Sequence, residues 1–455
     1  MKKILIANRG AAAARILRAV KALGLQSVAV YSEADADLPY VRQADESFCI
    51  GPAPARASYL NQDLLLEVMA RCSADALHPG YGFLSENAEF ARRVEAAGRC
   101  FIGPSPKWIA ALGNKASARE LMQRHGLQAG GSTGILPRDD KAAVHRAADA
   151  LGYPVLIKPA GGGGGIGMIP VYDPKSLSDC WDRASVMAEK AFAYPSLYLE
   201  RFVPSPRHIE FQFLADRFGN VLSLYERDCS TQRRYQKVIE EAPAPAIDRE
   251  VVAHMARRLS AILGEIGYDV IGTVEMLYTP ESGFSFLEVN TRLQVEHAIS
   301  EAVTGVDIVQ AQIRLAAGEK LSSVVGAQPA LAGHAIEARV YAEDPVRFLP
   351  SPGVLQTFEL PRPRPGLRVE TGYAQGNRVS SHYDPMVAKV IALAADRDTA
   401  IRDLRGALGD MRVEGIKTNI PMILQVLASQ QFQAGAMTVD GLQEVISTES
   451  VKELA

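Results

Sequence analysis

The sequence predicts a protein of the α/β and α+β classes, with a doubly wound parallel sheet at the N-terminus, a mainly antiparallel core and a C-terminal α/β domain. Short apolar runs alternate with helical patterns over the first hundred residues. Alternating polar and apolar positions then dominate between residues 207 and 293, which is typical of antiparallel strands with one polar face. The length of 455 residues and the 47% hydrophobic content suffice for about three domains.

Composition argues against several classes of protein. The 49 Lys and Arg nearly balance the 52 Asp and Glu, so bulk charge does not indicate a nucleic-acid-binding protein. The five cysteines are scattered without a Cys-x-x-Cys pair, which indicates a reducing cytoplasm and no zinc or redox motif. The apolar run after Lys3 is too short for a signal peptide, and no run approaches a membrane span. We therefore expect a cytoplasmic protein that binds neither nucleic acid nor membrane.

Predicted strands and helices alternate in the N-terminal region. Apolar runs predict strands at Ile4–Ala7, Ser27–Tyr31 and Ala74–Leu77, and helical patterns cover Ala11–Leu23, Leu60–Arg71 and Asn87–Ala97. The first strand-to-helix turn reads Asn8-Arg9-Gly10-Ala11-Ala12-Ala13 and lacks the glycines that admit a pyrophosphate. The sequence therefore argues against a dinucleotide site at this turn.

A glycine run marks the second region. A helix is predicted over 107–126, and the run Gly161–Gly165 lies between apolar segments at Pro154–Lys158 and Ile169–Val171, before a helix over 177–193. A glycine-rich turn between two strands lets backbone N–H groups approach phosphate oxygens. The alternative is a flexible linker. We interpret 131–203 as a small mobile lid over a phosphate-binding site.

The remaining strands and helices follow the same patterns. Predicted strands are 207–216, 221–227, 270–278, 284–293, 334–341 and 386–394, and predicted helices are 308–317, 400–408 and 420–429.

The stretch 272–297 carries the strongest chemical signal. Two strands flank the short loop Thr279–Gly283, so residues that pair across this hairpin have numbers summing to about 562. Glu275 and Glu288 should therefore stand nearly opposite each other. If the second strand stays extended, alternate residues from 288 to 296 share one polar face, namely Glu288, Asn290, Arg292, Gln294 and Glu296.

Two neighbouring carboxylates and an amide suit Mg²⁺ or Mn²⁺ that bridges nucleotide phosphates. The arginine and glutamate further along could hold an anion beside a base. The alternative is a solvated sheet face with an incidental charge pattern.

Other polar groups could complete such a site. Lys115 and Lys158 are candidate phosphate contacts. His208, Glu210 and Gln212 alternate with apolar residues and so share one face. The charged run 226–237, taken alone, indicates a solvated turn.

With these residues in view, the chain resembles the biotin carboxylases of the ATP-grasp superfamily along nearly its whole length. The motifs that carry the resemblance are Ala7–Gly10, His78–Asn87, Glu226–Ser230, Glu288–His297, Phe348–Gly353 and Glu414–Asn419. The resemblance implies an N-terminal domain over 1–112, an ATP-grasp domain over 113–330 with its lid at about 131–203, and a C-terminal domain over 331–447.

The resemblance also implies roles for individual residues. ATP would be bound by Lys115, Lys158, Gly164, Gly165, Glu200, Arg201, Phe202, Val203, His208, Gln232, Tyr235, Glu275 and Glu288. Two Mg²⁺ or Mn²⁺ ions would be held by Glu275, Glu288 and Asn290. Bicarbonate would be bound by Lys237, Arg292, Gln294 and the Val295 N–H, with Glu296 as its general base. Biotin would lie near Tyr81 and Gly82, with Arg339 stabilising its enolate.

The implied reaction is the ATP- and bicarbonate-dependent carboxylation of biotin through carboxyphosphate. Because the sequence ends at Ala455 without a lysine flanked by methionine, we expect biotin to arrive on a separate carrier protein, with a separate carboxyltransferase and a homodimeric enzyme. Together, this chain, the carrier protein and the carboxyltransferase would form a biotin-dependent carboxylase such as the acetyl-CoA carboxylase of fatty acid biosynthesis. Arg15 and Arg18 on the first helix are compatible with the dimer.

Five positions depart from the family pattern. Ile166 replaces an arginine of the glycine loop, Tyr235 a histidine near the nucleotide, Ala11-Ala12 a Glu-Ile pair, and Ala298 a proline. Two alternatives therefore stay open: another ATP-grasp ligase that joins a carboxylate to an amine, and a nucleotide-binding regulatory subunit with impaired turnover.

Overall fold

The structure is a computed structural model, and it describes residues 1–160, 167–192 and 196–452. No helix of this described part is both long and apolar enough to cross a bilayer. All five cysteines are free thiols.

The N-terminal sheet is parallel, as predicted. Its strands are β1 (Lys3–Ile6), β2 (Gln26–Tyr31), β3 (Glu46–Cys49), β4 (Ala76–His78) and β5 (Cys100–Phe101), in the order β3-β2-β1-β4-β5. Its helices are α1 (Gly10–Ala22), α2 (Pro39–Gln43), α3 (Gln62–Arg71) and α4 (Ala88–Ala96). Asparagine side chains cap α3 and α4, because Asn61 accepts from the Leu64 N–H and Asn87 from the Phe90 N–H.

The single helix predicted over 107–126 is wrong. The structure has two helices, α5 (Pro106–Gly113) and α6 (Lys115–Arg124), separated at Asn114. The Asn114 side chain accepts from the Ala116 and Ser117 N–H groups and so begins α6 as a cap. This break places Lys115 at the start of a helix that packs against the next sheet.

The lid region is a separate small layer of helices on a sheet. Its elements are α7 (Lys141–Leu151), β6 (Val155–Pro159), β7 (Ile169–Val171), α8 (Leu177–Phe192) and β8 (Leu197–Arg201), with antiparallel strands in the order β7-β6-β8. Ile157, Trp181 and Leu199 belong to its own hydrophobic core. Gly161–Gly165, including Gly164 and Gly165, and Ile166 lie outside the described residues.

An eight-stranded antiparallel sheet forms the body of the molecule. Its strands are β9 (Arg207–Ala215), β10 (Val221–Arg233), β11 (Gln236–Ala242), β12 (Val270–Thr279), β13 (Gly283–Asn290), β14 (His334–Tyr341), β17 (Leu367–Thr371) and β19 (Met386–Ala394), in the order β13-β12-β9-β10-β11-β14-β19-β17. The strands β15 (Gly353–Val354), β16 (Thr357–Glu359), β18 (Arg378–Val379) and β20 (Arg412–Glu414) form two small ribbons. The same sheet therefore continues across residue 330.

Helices cover this sheet and close the chain. They are α9 (Arg249–Glu265), α10 (His297–Thr304), α11 (Ile308–Ala316), α12 (Leu321–Val324), α13 (Arg397–Asp410), α14 (Ile420–Ala428), α15 (Gln430–Gln433) and α16 (Gly441–Lys452).

The charged run 226–237 is not a solvated turn. It forms the end of β10 and the start of β11, and Arg227 within it is completely buried. Arg234 and Tyr235 make the two-residue connection, with φ values of 50° and 65°. Positive φ at both central residues favours glycine or asparagine, so this turn is strained.

The two faces of the large sheet differ in chemistry. On β9, Ile209, Phe211 and Phe213 lie in the hydrophobic core beneath α9. The alternate residues His208, Glu210 and Gln212 lie on the opposite, polar face, as the period of two predicts. This polar face carries the charged side chains of the candidate site.

Stability should depend on pH through His78. Its Nδ1 accepts from the Gly80 N–H at 3.1 Å, and burial, helped by Arg15, lowers the imidazole pKa to about 3. A histidine whose pKa is depressed in the folded state stabilises the fold above its unfolded pKa of 6.5, and that contribution is lost as pH falls towards 3. We expect this residue to reduce the free energy of unfolding by about 2 kcal/mol between pH 7 and pH 5.

The measurement is chemical denaturation of the protein and of His78→Asn at both pH values. Asparagine retains an acceptor for the Gly80 N–H but does not titrate, so the variant should lose less stability on acidification. An identical loss in both proteins would contradict the prediction.

Candidate active site

The hairpin of β12 and β13 brings the predicted carboxylates face to face. Glu275 pairs directly with Glu288, and Thr273 pairs with Asn290, so these pairs sum to 563. A bulge between Glu275 and Met276 changes the sum to 562 nearer the loop. The predicted pairing is therefore confirmed.

The strand predicted over 284–293 ends three residues earlier, because β13 ends at Asn290 and a turn leads into α10. The chain is therefore not extended through Glu296. The polar residues nevertheless stay together. Asn290 donates to Glu275 at 2.6 Å, Gln294 donates to Glu275 at 3.3 Å, and Arg292 donates to Asn290 at 2.9 Å. Arg292 also donates to Glu86 at 2.9 Å, which ties this turn to the N-terminal domain.

Lys237 is the centre of the charge arrangement. Its ammonium contacts Glu275 at 2.9 Å, Glu296 at 2.8 Å and Glu210. Burial alone would lower the lysine pKa, but these carboxylates raise it well above its ordinary value. Lys237 is therefore a fixed cation on the polar face of the sheet.

The carboxylates around Lys237 are held in their charged form. Burial would raise the pKa of Glu210, but Lys237, His208 and Arg227 together outweigh burial and the pKa falls to about 2. The pKa of Glu275 is likewise lowered despite burial, by Lys237 and His208. His208 lies 2.9 Å from Glu275, and the Glu275 charge raises the His208 pKa to about 9 against the effect of burial.

Glu296 lies between two cations. One oxygen accepts from Lys237 at 2.8 Å and the other from Arg339 at 3.0 Å. Burial would raise the Glu296 pKa, but Lys237 and then Arg339 lower it. Arg339 is held from its other side by Glu240 at 2.5 Å, whose own pKa burial raises to about 8.

A cavity of about 640 Å³ opens in front of these groups. Its lining includes the candidate bicarbonate, base and biotin residues Tyr81, Gly82, Lys237, Arg292, Gln294, Val295, Glu296 and Arg339, together with Tyr235. The Tyr81 carbonyl is fixed by the Asn8 side chain at 2.8 Å. Residues that are distant in sequence therefore meet around one space.

The candidate nucleotide residues lie beside this cavity, along β6, β8, β9, β10 and α6. Lys115 contacts Glu288 at 2.7 Å. Glu200 is buried between Lys158 at 2.9 Å and Arg119 at 2.5 Å. Gln232 contacts His208 at 2.8 Å.

The candidate ATP contacts Arg201, Phe202 and Val203, at and just after the end of β8, differ in their surroundings. The exposed Arg201 side chain donates to the Leu151 carbonyl at 2.9 Å, so it is held against the lid helix α7 and not against Glu200. The Phe202 ring lies edge-on to Tyr172 of the lid, with centroids 5.8 Å apart, and Val203 is half-buried.

The donor set at the hairpin fits a hard cation. Glu275 and Glu288 are carboxylates on paired positions, and Asn290 adds an amide in contact with Glu275. Ligand atoms of His208 and Glu210 also lie within 4.8 Å of Glu275 and of each other. The chemistry of these groups suits Mg²⁺ or Mn²⁺ better than a soft metal.

Sequence reasoning missed three important partners. Glu210 was identified only as a polar position, yet it lies between Lys237 and Arg227. Glu240 holds Arg339, and Glu86 holds Arg292. Only the period of two on β9 and β11 could have drawn attention to Glu210 and Glu240. No feature of the sequence indicated which residues these carboxylates contact.

The two arginines of α1 that were noted as compatible with a dimer differ in exposure. Arg15 is buried and pairs within the chain with Glu301 at 2.7 Å and Asp307 at 2.6 Å. Arg18 keeps 52% of its side chain exposed while contacting Glu370 at 3.1 Å.

Comparisons with known proteins agree with this architecture. Family models described as "Biotin carboxylase, N-terminal domain", "Carbamoyl-phosphate synthase L chain, ATP binding domain" and "Biotin carboxylase C-terminal domain" match residues 1–109, 114–324 and 337–444. The biotin carboxylase of Halalkalibacterium halodurans is 48% identical over 440 residues, covering 96% of each chain.

Solved structures are similar over the same extent. Biotin carboxylase of Campylobacter jejuni, in a β,γ-ATP complex, has a TM-score of 0.92 at 40% identity and covers 97% of this chain and 98% of that one. The biotin carboxylase domain dimer of Hydrogenobacter thermophilus 2-oxoglutarate carboxylase, with MgADP, ADP and bicarbonate, has a TM-score of 0.91 at 40% identity and covers 98% of both.

The fold, the carboxylate hairpin and these similarities define an ATP-dependent ligase of the ATP-grasp class. Within that class, the chain belongs to the biotin carboxylase family. The reaction of that family is the ATP-dependent carboxylation of biotin.

Proposed function

We propose that this chain carboxylates biotin presented by a separate carrier protein, as the first half-reaction of a biotin-dependent carboxylase. The observation that carries the proposal is the single cavity in which Glu296 lies between Lys237 and Arg339, with Arg292 on the same lining. A carboxylate base flanked by fixed cations suits a reaction whose substrates and intermediates are anions.

Bicarbonate would be bound by Lys237, Arg292, Gln294 and the Val295 N–H, close to Glu296. Because its pKa is lowered, Glu296 is ionised at neutral pH and can accept the bicarbonate proton. Bicarbonate oxygen then attacks the γ-phosphorus of ATP, which releases ADP and gives carboxyphosphate. Breakdown of carboxyphosphate gives CO₂ and phosphate, and the phosphate takes the proton from the biotin ureido nitrogen.

Arg339 would stabilise the biotin enolate formed by that proton transfer, beside Tyr81 and Gly82. The enolate adds to CO₂ and yields carboxybiotin. The guanidinium stays charged throughout, because burial, which would lower its pKa, is outweighed by Glu240 together with Glu296 and other neighbouring groups. A permanent cation at this position stabilises the charge that develops.

ATP would lie between the lid and the polar sheet face, near Lys115, Lys158, Glu200, Arg201, Phe202, Val203, His208, Gln232 and Tyr235. Glu275, Glu288 and Asn290 would hold two Mg²⁺ or Mn²⁺ ions. When bound, these ions neutralise the phosphate charge and orient the γ-phosphate. Gly164 and Gly165 remain proposed ATP contacts by resemblance alone.

The assignments of domains and partners are also proposals. We propose domains over 1–112, 113–330 and 331–447, a homodimer, a cytoplasmic location, and a biotin carrier and carboxyltransferase as partner chains. The dimer is supported by the solved biotin carboxylase domain dimer of Hydrogenobacter thermophilus. The acceptor would be an acyl-CoA such as acetyl-CoA.

The test is bicarbonate-dependent ADP release by the full chain with Mg²⁺ and free biotin, then with a biotinylated carrier. We expect both biotin forms to stimulate release, and carboxybiotin to form on the carrier. Folded protein that binds ATP without either stimulation would refute the proposal.

Two alternatives have specific consequences. Another carboxylate–amine ligase would release phosphate with a different acid in a substrate screen, although Arg339 and the tract 78–87 favour biotin. A regulatory subunit would bind ATP tightly without hydrolysis, and Tyr235 and Ile166 are the observations in its favour.

Tyr235→His tests the regulatory alternative. The Tyr235 side chain is 51% exposed at the cavity edge, and its φ of 65° is better tolerated by histidine than by tyrosine. Burial of its ring, then Asp440, raises the tyrosine pKa, so the wild-type side chain is neutral. We expect less than about a threefold change in the Michaelis constant for ATP and in kcat, and no loss of stability. A much larger gain in kcat would instead support impaired turnover in the natural chain.

A further inference from the structure

His297 holds the turn that carries the candidate bicarbonate residues. It is the first residue of α10, and only 1% of it is exposed. Its Nδ1 lies 2.7 Å from the Gln294 carbonyl oxygen. Because a carbonyl oxygen can only accept, Nδ1 must carry the proton of this hydrogen bond.

The peptide that joins Gln294 to Val295 transmits this contact to the cavity. The carbonyl and the N–H of one trans peptide are coplanar and point in opposite directions. The Gln294 carbonyl is held by the His297 ring, so the Val295 N–H is directed to the other side of that peptide. Val295 lines the cavity, and its N–H has no hydrogen-bond partner among the described residues.

The next carbonyl along the turn is also held from the interior. Lys389, which is completely buried, donates to the Val295 carbonyl and lies 3.4 Å from Glu337 and 3.1 Å from Glu370. Two consecutive carbonyls are therefore fixed by buried donors. A backbone N–H fixed in this way can receive an anion without reorganising.

We infer that His297 is a positioning residue that directs the Val295 N–H towards bicarbonate through its Nδ1–H bond to the Gln294 carbonyl. This inference rests on the function proposed above. The competing explanation is that His297 merely fills space in the interior.

Asparagine and glutamine at position 297 separate these explanations. The Asn side-chain nitrogen occupies a position close to that of Nδ1, whereas the Gln nitrogen lies nearer to that of Nε2. His297→Asn should keep the Michaelis constant for bicarbonate within about twofold of wild type. His297→Gln should raise it about five- to tenfold, the usual effect of one lost hydrogen bond, with no change in the Michaelis constant for ATP.

A matched control is His334→Asn. His334 is another buried histidine, and it contacts Glu241 at 2.8 Å, away from this turn. This variant should lose stability without a change in the bicarbonate constant. Equal bicarbonate constants in His297→Asn and His297→Gln, or equal changes in the ATP and bicarbonate constants, would overturn the inference. Wild-type protein without bicarbonate-dependent turnover would instead refute the proposed function.

A measurement on the wild-type protein does not depend on variants that fold. In protein labelled with ¹⁵N-histidine, the His297 ring should show the neutral tautomer with the proton on Nδ1. Burial, reinforced by Lys389, lowers the pKa of His297 well below its ordinary value, so the ring is neutral at pH 7. A proton on Nε2 at pH 7 would overturn the inference.

Discussion

We expect Glu296→Gln to lower the kcat of bicarbonate-dependent ADP release about a thousandfold, within the range typical for loss of a general base. The variant keeps the size of the side chain but can no longer accept the bicarbonate proton. It also removes the negative charge that lies between Lys237 and Arg339, and the neutral amide does not replace that charge. Steady-state kinetics measure the loss, and ATP binding should persist.

Glu241→Gln is the control for that variant. Glu241 is also a buried carboxylate of β11, but it pairs with His334 at 2.8 Å and Arg397 at 2.7 Å, outside the cavity. We expect reduced stability with kcat near that of wild type. If Glu296→Gln kept more than about a tenth of wild-type kcat, Glu296 would not be the base.

We expect Arg227→Met to reduce the free energy of unfolding by about 3–5 kcal/mol, the usual cost of leaving a buried ion pair with one partner. The Arg227 side chain is completely buried and donates to Gln212 at 2.8 Å and Ser300 at 3.0 Å. It also lies 3.2 Å from Glu210. Methionine fills much of the space but leaves those acceptors without their donor.

Denaturant unfolding of Arg227→Met measures the effect, with Arg92→Met as the control. Arg92 lies on the surface, 3.3 Å from Glu89, and 53% of its side chain is exposed. Arg92→Met should reduce the free energy of unfolding by less than about 1 kcal/mol. Similar costs for the two variants would show that the buried network around Glu210 adds little stability.

Local periodicity identified most of the strands and the face of the sheet that carries the site. The period of two placed His208 and Glu210 on one side of β9, and hairpin geometry paired Glu275 with Glu288. These predictions succeeded because they depend only on strand geometry and a short loop. The roles of Lys237, Arg339 and Tyr81 instead came from the resemblance to a family.

Local patterns failed where a long-range contact decided the outcome. The run 226–237 has the composition of a solvated turn, yet Glu210 and Gln212 on the neighbouring strand satisfy Arg227 in the interior. The strand predicted over 284–293 ends three residues early, at Asn290, because a turn before α10 replaces its last part. Side-chain capping by Asn114 likewise divided the helix predicted over 107–126.

The sequence by itself indicated the parallel N-terminal region, the mainly antiparallel core, the paired carboxylates and the resemblance to the family. Only the tertiary structure decided that Lys237 lies among Glu210, Glu275 and Glu296, and that Arg339 lies between Glu240 and Glu296. The physical reason is that periodicity specifies which face a side chain occupies, whereas ion pairs in a buried site depend on the pairing of strands from distant parts of the chain. The low net charge of −3 likewise hides this concentration of opposite charges, because it sums over the whole chain.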